Sequence, residues 1–244
     1  MRLFILSILM SCAVTASAQD CTQLPWEADL TAQLNGIESP FVRGASKVTS
    51  DALLPLSIGL PIGMYLYGVS ALDFTDGRNP YAKRYAAESG LQTFVTMGLT
   101  YGVVLALKNI IDRPRPYEAY PGCITNYRHD ADGSMPSGHS AGSAALATSL
   151  CLRYPEWYVI APSVAYALYT GFARLNLGMH YLSDVLIGYA IGVGIALGVN
   201  ALNNELFDLA DPILPNDGTH RLLGMMLNIS PTQTMPIFSM SIPL

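Results

Sequence analysis

Three cations lie within eight positions of the chain, and their spacing indicates a site for an anion. Lys108 is followed by Arg113-Pro114 and Arg115-Pro116. A proline pushes the preceding residue out of the helical region, so both guanidinium groups are held on extended backbone. Lys and Arg side chains held in this way are suited to binding phosphate. A positively charged loop is the alternative interpretation.

A second polar group, Pro136-Ser137-Gly138-His139, stands directly before an apolar run. A serine hydroxyl, a glycine that lets backbone amides approach a ligand, and the positive end of a helix dipole together favour anion binding. Ser137 and Gly138 are therefore candidate ligands. His139 is a candidate general acid, and a histidine that only caps the helix is the alternative.

The third group consists of Arg174, His180 and Asp184. The i, i+4 spacing puts His180 and Asp184 on one helix face, where the carboxylate can fix the imidazole tautomer and leave the other ring nitrogen free as a nucleophile. On a continuous helix Arg174 would lie about 240° around the axis from His180. Convergence therefore requires a break, which Gly178 can provide. A purely structural arginine and His–Asp pair are the alternative.

The elements that must position these groups are strongly apolar. Of the 244 residues, 51% are hydrophobic and 13% are charged, whereas a typical soluble domain has about 25% charged residues. Five runs lack Asp, Glu, Lys and Arg: 53–70, 90–107, 138–152, 157–173 and 185–202. About 20 residues are needed to cross the hydrocarbon layer. We predict an all-α, polytopic bundle of transmembrane helices; buried helices of a soluble protein are the alternative, although surface helices should then carry charges at a period of 3.6 residues.

The first residues are typical of an export signal. Arg2 precedes a charge-free run, and Ala16-Ser17-Ala18 has the small side chains of a cleavage site. Five transmembrane spans follow the signal, and the total is six if the signal is retained as a membrane segment. The predicted organisation is a signal peptide at 1–18, a periplasmic or interfacial segment at 19–50, a transmembrane domain at 51–203 and a tail at 204–244.

Export places the three polar groups on one side of the membrane. With Arg2 inside, each span reverses the side, and the loop 73–88 with its three basic residues falls in the cytoplasm, as the positive-inside rule expects. The polar groups then face the periplasm from a bacterial inner membrane. Cys21 and Cys123 would lie in the same oxidising compartment, where they can pair if the fold brings them together.

The net charge argues against nucleic acid as a ligand, and the spacing of the acidic residues argues against calcium. A net charge of −5 with only 13 Lys and Arg offers no basic face for nucleic acid. Asp130-Ala131-Asp132-Gly133 is similar to the beginning of a calcium loop, but the third ligand and the closing glutamate are missing. We interpret this segment as a solvated loop.

The three groups occur as Lys-x6-Arg-Pro, Pro-Ser-Gly-His and Arg-x5-His-x3-Asp, in that order. Here the chain resembles the type 2 phosphatidic acid phosphatase (PAP2) superfamily, which also contains glucose-6-phosphatase, bacterial class A acid phosphatases and vanadate-dependent haloperoxidases. The resemblance covers about residues 53–202. One departure is Ala173, because the family usually has Ser or Thr just before the arginine of the third motif.

The resemblance implies a phosphatase that acts through a phosphohistidine. Five residues would bind the phosphoryl group: Lys108, Arg115 and Arg174 by charge, and Ser137 and Gly138 by hydroxyl and backbone amide. His180, oriented by Asp184, would attack phosphorus in line, and His139 would protonate the leaving oxygen. Positioning and charge stabilisation supply most of the rate in such transfers, so no metal or other cofactor is implied.

The resemblance and the predicted topology together imply a membrane lipid as substrate. Its reacting group would be a phosphate monoester or pyrophosphate of an envelope lipid, with lipid A phosphate favoured by analogy. Undecaprenyl pyrophosphate and phosphatidylglycerol phosphate are alternatives. Rivals are a vanadate haloperoxidase, a soluble acid phosphatase and, from another class, a non-catalytic membrane protein that binds or transports an anion. The sequence gives no indication of oligomeric state.

Overall fold

A computed structural model describes residues 20–70, 81–128 and 132–215. Within these ranges the chain is helical and has no strand. The elements are α1 (Trp26–Asn35), α2 (Pro40–Val69), α3 (Ala82–Ile111), α4 (Pro116–Ala119), α5 (Gly138–Arg153), α6 (Trp157–Asn176), α7 (Leu182–Ala201), α8 (Asn203–Ala210) and a short 3-10 turn (Asp211–Ile213). The predicted signal peptide, much of the loop 73–88 and most of the tail 204–244 lie outside the described residues.

Three segments are long and apolar enough to cross a membrane: Pro40–Val69, Ala82–Ala119 and Leu182–Ala201. The prediction of an all-α, polytopic membrane protein is confirmed. The other two predicted spans coincide with α5, which has only 16 residues, and with α6, which has 20. The count of five spans therefore stays a prediction.

Helix α3 shows how these helices distribute their side chains. It exposes the large apolar residues Phe94 and Leu105 and buries Thr93, Thr96 and Thr100. Thr96 and Thr100 each donate a hydrogen bond to the carbonyl four residues earlier, which satisfies their hydroxyls inside the bundle. Large apolar side chains outside and small residues inside are what a helix needs when lipid is the solvent.

The closest helix contact in the site region joins α5 to α7. A Cβ atom at Gly188 would lie 2.6 Å from the carbonyl oxygen of Ser137, and one at Gly192 would lie 2.2 Å from that of Ala141. Only glycine permits this approach. It brings the N-terminus of α5, where the second polar group lies, against the N-terminus of α7, which carries Asp184 of the third group.

The segment before α2 is fastened to the same end of the bundle. Cys21 and Cys123 form a disulfide with their Cα atoms 5.5 Å apart, so the pairing considered from the sequence is present. Arg43 donates hydrogen bonds to the carbonyls of Asn35 and Ile37 after α1 and to the carbonyl of Asn176 at the end of α6. Helix α1 therefore has a fixed place beside the α6–α7 connection.

Candidate active site

The α6–α7 connection contains the break that the sequence predicts. Helix α6 ends at Asn176, and Gly178 has a positive φ of 74°. A Cβ atom there would lie 2.6 Å from the carbonyl oxygen of Thr125. The turn leaves Arg174 in the last turn of α6 and sets His180 on the short connection before α7. The two residues can therefore act on one site although their spacing forbids this on a single helix.

The three polar groups meet at one cavity of about 1020 Å³. Five of the eight predicted site residues line it: Lys108, Arg115, Gly138, His139 and His180. Lys108 lies in the last turn of α3, Arg115 directly precedes α4, Gly138 and His139 begin α5, and His180 lies just before α7. The ends of four helices thus converge, and the two cations and the two histidines line the same space.

The other three predicted residues lie behind the cavity wall. Arg174 is fully buried, and its Nη1 lies 3.5 Å from the hydroxyl of Ser50, which itself lines the cavity. Ser137 is the N-cap of α5, and its hydroxyl accepts hydrogen bonds from the backbone N–H and the hydroxyl of Ser140. Asp184 is fully buried below His180. The phosphate-binding roles of Arg174 and Ser137 stay predictions.

The contacts of His180 define which of its nitrogens can react. Its Nδ1 lies 2.7 Å from the carbonyl oxygen of Ser134 and 3.7 Å from Oδ2 of Asp184. Because a carbonyl oxygen only accepts, Nδ1 carries the proton and Nε2 carries the lone pair. Nε2 lies 3.4 Å from Nη1 of Arg115. The unprotonated nitrogen of His180 therefore faces Arg115, one of the predicted phosphate ligands.

The surroundings of His180 also keep it uncharged. Burial lowers the pKa of His180 to about 3, the charges of Arg174 and Arg115 act in the same direction, and Asp184 opposes them. The imidazole is therefore neutral at physiological pH. Only the neutral ring has a lone pair with which to attack phosphorus.

A carboxylate occupies the place between the two lining cations. Oδ2 of Asp132 lies 3.0 Å from Nζ of Lys108, and Oδ1 lies 2.6 Å from Nη2 of Arg115. Although partial burial raises the pKa of Asp132, hydrogen bonds and charge from Lys108 and Arg115 hold it below its usual value. The interpretation of this segment as a merely solvated loop is therefore wrong for Asp132, since its side chain binds both predicted phosphate ligands.

A phosphate that binds Lys108 and Arg115 must displace Asp132. We expect Asp132→Asn to lower the inhibition constant of inorganic phosphate at least about fivefold, because each of the two ion pairs of the exposed Asp132 contributes on the order of 1 kcal/mol. The measurement is competitive inhibition of lipid dephosphorylation. Asp51→Asn is the matched control, because Asp51 also lines the cavity but pairs with Arg128. An unchanged or raised inhibition constant would show that Asp132 supports the cations rather than competing for them.

Part of the cavity wall is apolar and comes from α2 and α3. It consists of Leu53, Leu54 and Pro55 of α2 and of Val104 and Leu105 of α3. Leu54 is 62% exposed and Leu105 is 57% exposed, so this wall includes side chains of the outer surface of the bundle. One cavity is therefore lined both by cations and by apolar side chains that reach this outer surface.

Three residues that hold His180 or Asp184 in place, directly or through one another, are not among the predicted site residues. The carbonyl of Ser134 accepts a hydrogen bond from Nδ1 of His180, and its hydroxyl donates one to Asp184. Arg113 was counted among the cations, but its Nη1 lies 2.7 Å from Oδ1 of Asp184 rather than in the phosphate-binding cavity. Glu27 pairs with Arg113. The Arg-Pro-Arg-Pro repeat could have singled out Arg113 from the sequence, whereas no sequence pattern singles out Ser134 or Glu27.

Comparison with known proteins identifies the family of this chain. The PAP2 superfamily profile matches residues 89–208. A lipid A 1-phosphatase of Rhizobium johnstonii is 30% identical over 197 residues, which cover 71% of this chain and 79% of the relative. Undecaprenyl-diphosphatase BcrC of Bacillus subtilis is 30% identical over 115 residues, which cover 47% of this chain and 56% of that protein.

The fold is also found among solved structures. The crystal structure of Aquifex aeolicus LpxE superposes with a TM-score of 0.59 at 19% identity, covering 73% of this chain and 97% of that one. At this identity the likeness concerns the fold. The matched profile and the similarity to the Rhizobium protein over most of its length establish that the chain belongs to the PAP2 superfamily.

Proposed function

We propose that the protein is a lipid phosphatase that removes a phosphate group from lipid A at the periplasmic face of a bacterial inner membrane. The observation that carries the chemistry is the neutral His180, whose Nε2 faces Arg115 inside the cavity. The observation that favours a lipid is the apolar wall between α2 and α3. Lipid A is favoured because the lipid A 1-phosphatase of Rhizobium johnstonii is similar over most of its length.

The first half of the reaction transfers the phosphoryl group to the enzyme. The substrate phosphate displaces Asp132 and binds Lys108 and Arg115. Nε2 of His180 attacks phosphorus in line, the ester P–O bond breaks, and His139 protonates the leaving oxygen. The ring gains positive charge in this step, and the Ser134 carbonyl, which accepts the Nδ1–H bond, stabilises it.

The second half regenerates the histidine. Water attacks phosphorus, the P–N bond breaks, and the lone pair returns to Nε2 of His180. His139 is placed to accept the proton of the attacking water, because it lines the same cavity. The cations Lys108, Arg115 and Arg174 supply the charge stabilisation that a metal supplies in other phosphoryl transfers, so the proposal includes no metal.

One feature of the structure supports the periplasmic face. The disulfide between Cys21 and Cys123 lies at the same end of the bundle as the cavity, and disulfides persist in oxidising compartments.

The test is phosphate release from a panel of lipids by detergent-purified protein with a chelator present. We expect release from lipid A with a kcat/KM at least roughly tenfold above undecaprenyl pyrophosphate, phosphatidylglycerol phosphate and phosphatidic acid, since one misfitted group in a pocket costs about 1–3 kcal/mol. Faster release from another member of the panel would reassign the substrate. Release from none, by folded protein that binds phosphate, would favour a non-catalytic anion-binding or transport protein.

A further inference from the structure

Asp184 is held by groups from three separate parts of the chain. Its Oδ2 accepts hydrogen bonds from the hydroxyl of Ser134 at 2.5 Å and from the backbone N–H of Tyr181 at 2.8 Å. Its Oδ1 accepts a hydrogen bond from Nη1 of Arg113 at 2.7 Å. Asp184 is fully buried, so every one of these contacts replaces water that the carboxylate loses on folding. Its position, and with it the position of His180, depends on them.

Arg113 extends this arrangement to the first helix. Its Nη2 lies 2.9 Å from Oε2 of Glu27 on α1, and its guanidinium lies 3.9 Å from the centre of the Tyr181 ring. Nη1 also donates to the hydroxyl of Ser183 at 2.7 Å. One planar group thus joins α1 to the first residues of α7. Lysine could not make these directed contacts together, because it has a single charged nitrogen.

Glu27 closes the arrangement from the other side. Its Oε1 accepts the backbone N–H of Ser183 at 2.8 Å, in the first turn of α7. This N–H has no partner within its own helix, so a carboxylate from α1 satisfies it and also favours the positive end of the helix dipole. The same carboxylate therefore holds both Arg113 and the start of the helix that carries Asp184.

We propose that Glu27 and Arg113 are positioning residues for His180, and that α1 is thereby part of the active site. The contacts run from Glu27 to Arg113 and from Arg113 to Asp184. Asp184 acts on His180 through Ser134, whose hydroxyl donates to Asp184 and whose carbonyl accepts from Nδ1 of His180, and through its own charge 3.7 Å from Nδ1. The inference rests on the proposed function, in which His180 is the nucleophile. Neither residue lines the cavity. Each acts on the chemistry through Asp184 and leaves phosphate binding to Lys108 and Arg115.

The positioning role of Glu27 and Arg113 differs from a role that only docks α1 on the bundle. Docking also depends on the Cys21–Cys123 disulfide and on Arg43, which joins α1 to the end of α6 without contacting Asp184 or His180. Arg43 is therefore a matched control. It is a second arginine that fastens the same helix, and its removal changes docking but not the contacts of the catalytic pair.

The experiment measures kcat and KM separately on the most active lipid of the panel. We expect Arg113→Gln to lower kcat roughly 10- to 30-fold, because small displacements of a reacting group are costly, with KM within about twofold. Glu27→Gln should lower kcat by about three- to tenfold, since it weakens the same arrangement one contact further out. Arg43→Gln should leave kcat within about twofold of wild type. Melting temperatures verify that each variant is folded.

A double-mutant cycle tests whether Glu27 and Arg113 act in series. The Glu27→Gln/Arg113→Gln variant should lose no more kcat than Arg113→Gln alone, because residues in one network are not additive. Multiplicative losses, an unchanged kcat in Arg113→Gln, or an equal loss in Arg43→Gln would each overturn the inference. If Arg113→Gln does not fold, Glu27→Gln against Arg43→Gln decides the same question. A wild-type protein inactive on every lipid overturns the proposed function and this inference together, whereas an active one isolates the inference.

Discussion

We expect the His180→Ala variant to release phosphate from lipid A roughly 10,000-fold more slowly than the wild type, or not at all. The substitution removes Nε2, the only protein atom that bonds to phosphorus in the proposed mechanism. Arg115 and Lys108 remain, so inorganic phosphate should still bind. The measurements are phosphate release, phosphate binding by calorimetry, and trapping of the phosphoenzyme with radiolabelled substrate, which should label the wild type and leave the variant unlabelled.

His139 provides the contrast for this prediction. His139→Ala should slow lipid dephosphorylation by roughly 100- to 1,000-fold, the range for loss of a general acid. With an aryl phosphate only the first half of the reaction should be much less impaired, because a good leaving group does not need protonation. The phosphoenzyme should then form and accumulate, because the attacking water still lacks the base that His139 provides. His180→Ala should be inactive on both substrates. Equal activity of His180→Ala and wild type on either substrate would remove His180 as the nucleophile.

The second large effect is expected from Arg115→Lys, a substitution that keeps the charge. We expect kcat/KM to fall roughly 100-fold, comparable to the loss of one donor to a developing negative charge. Arg115 is only 1% exposed, and its guanidinium donates from Nε and Nη2 to Asp132 and from Nη1 to the carbonyl of Met179. A lysine ammonium cannot reproduce this fork, so the charge would no longer be held beside Nε2 of His180.

Arg128→Lys is the matched control for Arg115→Lys. Arg128 lines the same cavity, but it is partly exposed and pairs with Asp51 away from His180. Its replacement should change kcat/KM by no more than about threefold, as expected for an exposed ion pair. Similar losses in the two variants would mean that positive charge in the cavity, rather than the geometry of Arg115, determines the rate.

Features that depend on neighbours along the chain could be predicted from the residues alone. The apolar runs predict helices α2, α3, α6 and α7, because a membrane helix must be apolar over its own length. Closely spaced motifs predicted the phosphate-binding and nucleophilic residues, since a few residues of a loop or one turn of a helix fix their relation. The break at Gly178 was predictable for the same reason: Arg174 and His180 cannot share a helix face.

Contacts between segments that are distant along the chain became visible in the folded protein. The sequence gives no sign that Asp132 lies between Lys108 and Arg115, or that Ser134, rather than Asp184, offers the nearest acceptor to Nδ1 of His180. Glu27 reaches the site from 86 residues before Arg113. The physical reason is that spacing constrains side chains within one helix or turn, whereas these contacts depend on how α1, α3 and α7 pack, and a single sequence does not specify that packing through any local pattern.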